Sequence, residues 1–172
     1  DVFVFITDQH WHLNQKHSPQ LISYLDAKCR INRVFNGGDA DDALTQTAID
    51  YYRDIQNNFP HYIHTALGNH EFMGAYGNEW YYYVDEYNNN QIGNASKHYY
   101  YVDNIQLKNR YVVLASYDNI NGSAAVSGYT QTQLDWLTQT ALNVPSDWSI
   151  IVLAHDFYHT AVGIDAFKTA LD

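Results

Sequence analysis

The chain has 172 residues, the size of one ordinary domain, and at 46% apolar and 16% charged residues it can bury a core and is not a disordered chain. Asp plus Glu number 19 against 9 Lys plus Arg, a net charge of −10, which opposes binding to nucleic acid or to anionic membrane surfaces because phosphate recognition normally rests on basic side chains. The single cysteine, Cys29, excludes an intramolecular disulfide framework and a thiolate-rich zinc site.

In chain order, the first apolar run, residues 2–6, has the length of a buried strand and ends in Thr7-Asp8-Gln9-His10. Ser18-Pro19 then reads as an N-cap with proline at the first helical position, and Leu21, Ile22, Leu25 and Cys29 share one helical face. A second strand, 33–35, runs into Asn36-Gly37-Gly38-Asp39, where glycine permits a sharp turn. Leu44, Ala48, Tyr51, Tyr52 and Ile55 again follow helical spacing. A third strand, 63–67, exits into Gly68-Asn69-His70-Glu71. This alternation predicts βαβ units and a largely parallel sheet, and ligands bind such sheets at the carboxyl ends of the strands, where all three polar exits fall.

The middle is tyrosine-rich, and its aromatic side chains are expected to pack in cores and grooves. Residues 79–87 read as a short helix, 98–103 and 110–116 as two strands, and Thr130 with Gln133 as a capping box opening an amphipathic helix that Pro145 stops. A strand over 149–154 exits into His155, and 164–172 is helix-like. No apolar run approaches the roughly 18 residues of a membrane-spanning helix, no signal peptide is readable, and the compartment is not encoded in these residues. No internal repeat, Walker-type loop, dinucleotide fingerprint or Ser-His-Asp arrangement is present.

Singly, an Asp or His after a strand is most often a cap or a loop hydrogen-bond partner. Together, Asp8, His10, Asp39, Asn69, His70 and His155 form a set of oxygen and imidazole donors at the strand exits. Such donors suit divalent ions like Mn²⁺, Fe²⁺ and Zn²⁺, and bound cations would supply the positive field that an acidic chain otherwise lacks for phosphate.

Asp8-Gln9-His10, Gly38-Asp39-Ala40-Asp41-Asp42 and Gly68-Asn69-His70-Glu71, in this order and with nearly equal gaps, resemble the D-x-H, G-D-x-x-D and G-N-H-[D/E] motifs of calcineurin-like metallophosphoesterases. Residues 131–142 and 150–155 resemble the helix and strand leading to that family's next metal-binding His. The resemblance implies an α/β fold, a four-layer α/β/β/α sandwich of two mixed sheets flanked by helices, as one domain over residues 1–172. It implies two divalent metal ions (Mn²⁺, Fe²⁺/Fe³⁺ or Zn²⁺) about 3.5–4 Å apart: Asp8 and His10 would hold the first, Asn69 and His155 the second, and Asp39 would bridge them. His70 matches the position that protonates the leaving oxygen, and Asp42 the carboxylate that orients it. A metal-bridging hydroxide would attack the phosphorus of a phosphomonoester or phosphodiester substrate.

Two departures accompany the likeness. Ala154-His155 stands where the family has Gly-His, and the family's closing Gly-His-x-His, one ligand to each metal, is absent from the 172 residues. With Asp1 inside a strand-like run and no initiator Met, the expectation is a C-terminally truncated piece of a longer protein; otherwise each metal lacks one protein ligand. Of the remaining histidines, His12, with Trp11, is as consistent with a substrate groove as with loop packing. His159 is a weak substitute ligand, and His17, His61, His64 and His98 read as structural or exposed. Glu71 reads as a local hydrogen-bond partner. The rivals to a phosphoesterase are a catalytically silent binding module of a larger assembly and a one-metal structural site.

Overall fold

Strand alternation decides the layering. The computed structural model describes residues 2–10, 17–40, 46–47, 50, 63–72, 99–117, 127–157 and 163–171. These form β1 (Phe3–Ile6), α1 (His17–Cys29), β2 (Arg33–Asn36), β3 (Ile63–Thr65), β4 (Tyr100–Asn104), β5 (Asn109–Val113), α2 (Gln131–Trp136), β6 (Ser149–Leu153) and α3 (Ile164–Leu171). The first sheet is parallel in the order β1-β2-β3; the second runs β4-β5-β6, with β4 antiparallel and β6 parallel to β5. The expected helix over 79–87 lies outside the described residues, as does most of the one after Asp39, of which 46–47 and 50 are helical.

Successive side chains on a strand point to opposite faces, and both faces of the second sheet are covered. Tyr100, Tyr111 and Val113 meet Phe35 and Ala66 of the first sheet, with Phe3, Val102, Ile151 and Leu153 around them. The intervening Val112 and Leu114 pack instead on Leu134, Leu137, Ile164 and Phe167 from the helices, with Tyr101, Ile150 and Val152. The protein is therefore an α/β sandwich, with two three-stranded sheets and flanking helices among the described residues. Each such fully buried large side chain contributes about 1.5–3 kcal/mol of transfer free energy. Two tyrosines serve this core: Tyr111 lies 5.0 Å from Phe35 ring to ring, and the Tyr100 hydroxyl donates to the Thr65 carbonyl at 3.0 Å, linking the sheets.

The capping pattern at Thr130 has a tertiary partner. Thr130 caps α2, accepting from Gln133 N, but the Gln133 side chain does not return to Thr130 as a capping box would. Its amide instead pairs with both main-chain groups of Ala115, at 2.9 and 3.0 Å. Beyond Trp136 the helix widens into a π turn over Leu137–Ala141. There Arg110 Nη1 donates to the carbonyls of Thr140 and Ala141, while the rest of its guanidinium forks onto Asp103 at 2.7 and 2.8 Å and stacks on Tyr101.

His64 is structural, as its position in an apolar run implies. It faces the inter-sheet core opposite Phe35, 4% exposed. Burial, reinforced by the Arg33 guanidinium, pushes its imidazole down from 6.5 to about 4. The unfolded chain thus takes up a proton that the fold refuses. Stability on this account is complete above pH 6.5 and is lost as pH falls toward 4, by about 3 kcal/mol at ~1.4 kcal/mol per pH unit. His64→Leu is expected to remove that share of the acid sensitivity. Melting curves of both proteins between pH 7 and pH 4 test it, and parallel curves would show that His64 does not carry the effect.

Candidate functional site

Positive backbone φ marks where the chain is forced. Among the described residues five non-glycine positions adopt it: Arg30 closes α1, Lys108 turns the β4–β5 hairpin, and the others are Asp8, His10 and Asp39. Left-handed backbone costs a non-glycine residue about 1–2 kcal/mol, and such strain persists where surrounding structure over-determines it, typically at functional sites. Here the surroundings are the neighbouring strand exits: Asp8 N donates to Gly38 O at 3.0 Å and His10 N to Asp39 O at 3.3 Å. Gly38 itself sits at φ 99°. The turns aim polar side chains off the ends of β1 and β2 at one point.

Buried amides and carboxylates staple these turns. Gln9 Nε2 donates to Asn36 Oδ1 at 3.1 Å, and the same oxygen accepts from Gly38 N at 3.2 Å, joining the exits of β1 and β2. Glu71, in the short 3-10 turn His70–Phe72, accepts from the main-chain N–H of Gly68 as the local reading expects, but also from Asp39 and Ala40 across to β2. Burial first, and then the Asp39 charge, pushes its carboxyl above the ordinary carboxylate range, against the pull of the three N–H donors.

Asp39 is the centre, 4% exposed. Its Oδ1 accepts from His70 N at 2.9 Å, and its Oδ2 lies 3.4 Å from His155 Nε2 and 3.8 Å from His70 Nε2. One donor atom from each of Asp8, Asp39 and His155 falls within 4.8 Å of the others, the one such group of Asp, Glu, His or Cys side chains found among the described residues. The His70 and His10 rings meet edge to face, centroids 5.1 Å apart. Asn69 is half-buried at the β3 exit between Gly68 and His70. Asp42 lies outside the described residues, as do Trp11, His12, His61, His98 and His159.

The anchoring of His155 gives this group its shape. Nδ1 stands 2.8 Å from the Gly37 carbonyl, which can only accept, so Nδ1 carries a hydrogen and the ring is anchored with Nε2 turned inward. Nε2 faces the Asp39 carboxylate, with the Asp8 carboxylate close by. Two carboxylates and an imidazole nitrogen converge, and the two like charges call for positive charge between them. A divalent cation meets that requirement, and the carbonyl-anchored imidazole is the usual way of presenting a metal-ligating nitrogen. The residues present fit a cation here.

Some supporting residues were not legible beforehand. Tyr117, beyond β5, lies 5.9 Å ring to ring from His155 and donates its hydroxyl to Asp156 at 3.1 Å. Burial, then the Asp156 carboxylate, pushes that phenol up to about 12, so it stays a donor. Ser116 and Tyr129 donate to the Asp156 carbonyl at 2.8 and 2.9 Å, so the residue after His155 is held from several sides. Asn36 could have been suspected only as an amide closing a buried strand before two glycines.

Gly68 is required by contact. A Cβ there would stand 2.2 Å from Asp39 Oδ1 and 2.8 Å from Asp39 N. Gly68→Ala is expected to cost about 1–3 kcal/mol through overpacking, read as a drop in melting temperature. An unchanged melt would mean that Asp39 has room to move.

No family model matches the chain, and no curated protein is similar to it. Among solved structures it is similar to a dimetal phosphatase from Danio rerio, with a TM-score of 0.72 and 15% identity over 98% of this chain and 76% of that one. The likeness shows the fold, an α/β sandwich of sheets flanked by helices, as expected.

Proposed function

We propose that this protein is a metal-dependent hydrolase of phosphoric esters. The observation that carries the reading is the convergence of Asp8, Asp39 and His155, with His155 Nε2 turned toward the Asp39 carboxylate. Asp8, His10 and Asp39 would hold one divalent cation and Asp39, Asn69 and His155 a second, the assignment the matching motifs imply. When bound, the cations supply the positive charge that a phosphate ester needs and lower the pKa of the attacking water. A net charge of −10 makes that local field necessary and disfavours nucleic acid as the ester.

The chain's own residues do the rest. His155 and Asp8 approach Asp39 from different strand exits, so the shared carboxylate is fixed between them. His70 is tied through its main-chain N–H to Asp39 Oδ1, and its side chain is 27% exposed beside the Asp39 carboxylate. It holds a proton for the leaving oxygen, and Asp42, three residues after Asp39 in the matching motif, orients it.

The test is metal analysis with assay of aryl phosphate mono- and diesters. Purified protein titrated with Mn²⁺ is expected to bind about two ions and to hydrolyse at least one ester class in a chelator-sensitive way. Absence of metal binding, or turnover indifferent to chelation, overturns the reading. Two bound ions without turnover on a broad panel would make the chain a silent binding module instead.

A further inference from the structure

Glu71 is 2% exposed, and both of its carboxylate oxygens are engaged by main-chain N–H groups from two strand exits. Oε2 accepts from Asp39 at 3.0 Å and from Gly68 at 2.6 Å, and Oε1 accepts from Ala40 at 2.8 Å. We infer that Glu71 is the positioning residue that sets Asp39, a bracket fastening the end of β2 to the end of β3 so that the Asp39 carboxylate is held where it meets Asp8 and His155. The inference rests on the reading of Asp39 as the shared cation ligand.

The geometry is reciprocal. The Glu71 side chain grips the Asp39 main chain, while the main-chain N–H of His70, the preceding residue, grips the Asp39 side chain at 2.9 Å. Asp39 is therefore fixed at both ends by adjacent residues of one short turn. It needs this, because its backbone sits at φ 52°, which the chain does not adopt unaided. On the third side Gly68 lies so close to Asp39 that no side chain fits between them, and Glu71 holds the Gly68 N–H as well.

Only a carboxylate of this length suits the position. An apolar side chain would leave three buried N–H groups unsatisfied, each costing on the order of 1–3 kcal/mol. A carboxamide has the same shape but carries hydrogens at one terminus, which it would set against at least one of the three N–H donors. An aspartate is one methylene too short to span both exits. Glu71→Gln is therefore the diagnostic change, since it keeps the volume and spoils the acceptor pattern.

The experiment compares Mn²⁺ binding by parent and Glu71→Gln using titration calorimetry, with circular dichroism confirming that both are folded. The expected result is affinity weakened about 10–100-fold, the usual cost of removing a group that orients a ligand, with hydrolysis recovering as Mn²⁺ is raised. A merely structural role would lower the melting temperature and leave the affinity of the folded variant unchanged; that result overturns the proposal. If Glu71→Gln does not fold, hydrogen exchange on the parent decides. The amides of Asp39, Ala40 and Gly68 are expected to exchange only through global unfolding, and fast exchange at these amides rejects the bracket. A parent that binds no Mn²⁺ rejects the cation reading instead, and the exchange measurement still judges the bracket.

Discussion

Asp39→Asn is expected to abolish metal-dependent hydrolysis, release bound metal and yet raise the melting temperature of the metal-free protein. The first two effects follow from position. Asp39 is buried and faces Asp8, His155 and His70. Removing its charge takes away the donor common to both proposed cations. Cation stabilisation of a phosphoryl group is worth several kcal/mol, and at about 1.4 kcal/mol per tenfold the rate should fall by at least ~10²-fold. The third effect follows from what the carboxylate does without a cation. It sets a negative charge against the Asp8 carboxylate. An asparagine keeps an oxygen for His70 N, tolerates the left-handed backbone, and can donate its N–H to His155. A gain of about 1 kcal/mol would appear as a rise of ~2–4 °C. Metal content, initial rates and a chelated melt check the three together. A variant that keeps both its metal and its rate would remove Asp39 from the centre of the site.

His70→Ala should behave in the opposite way toward metal. Its main-chain bond to Asp39 survives the substitution, so the carboxylate stays in place and ion stoichiometry is expected to match the parent. What disappears is the imidazole, a partly exposed ring 3.8 Å from Asp39 and edge-on to His10. General acid catalysis typically contributes about 10²–10⁴ in rate, and the loss should fall on kcat with KM little changed. It should also shrink as the leaving group becomes a better one, since a good leaving oxygen needs no proton. Equal rates for parent and variant, across poor and good leaving groups, would show that the proton comes from elsewhere.

The legible part of the fold was local. Residues 2–6, 33–35 and 63–67 are short apolar runs that end in turn-forming or donor residues, and all three became parallel strands of one sheet. Thr130 capped its helix because an N-cap hydroxyl needs only the next turn. The tertiary use of Gln133 was not legible, because its partner Ala115 lies on another element and nothing in the local pattern points to it. For the same reason Glu71 read as a local partner, although two of its three bonds cross from the β3 exit to β2. The lowered pKa of His64 depends on a second sheet stacked over it, which no period in residues 63–67 encodes.

By itself, the order of residues determined which groups stand at the strand exits, because a strand of known length followed by a turn delivers its next side chains to the sheet's carboxyl end whatever else the chain does. It also determined that the donors are carboxylates, imidazoles and an amide. Only the folded molecule decided which of them meet. Asp8, Asp39 and His155 come within 4.8 Å because the two sheets stack, bringing His155 from the second against Gly37 and Asp39 of the first. The left-handed backbone at Asp8, His10 and Asp39 was decided there too, since a strained conformation persists only when hydrogen bonds from neighbouring exits hold it.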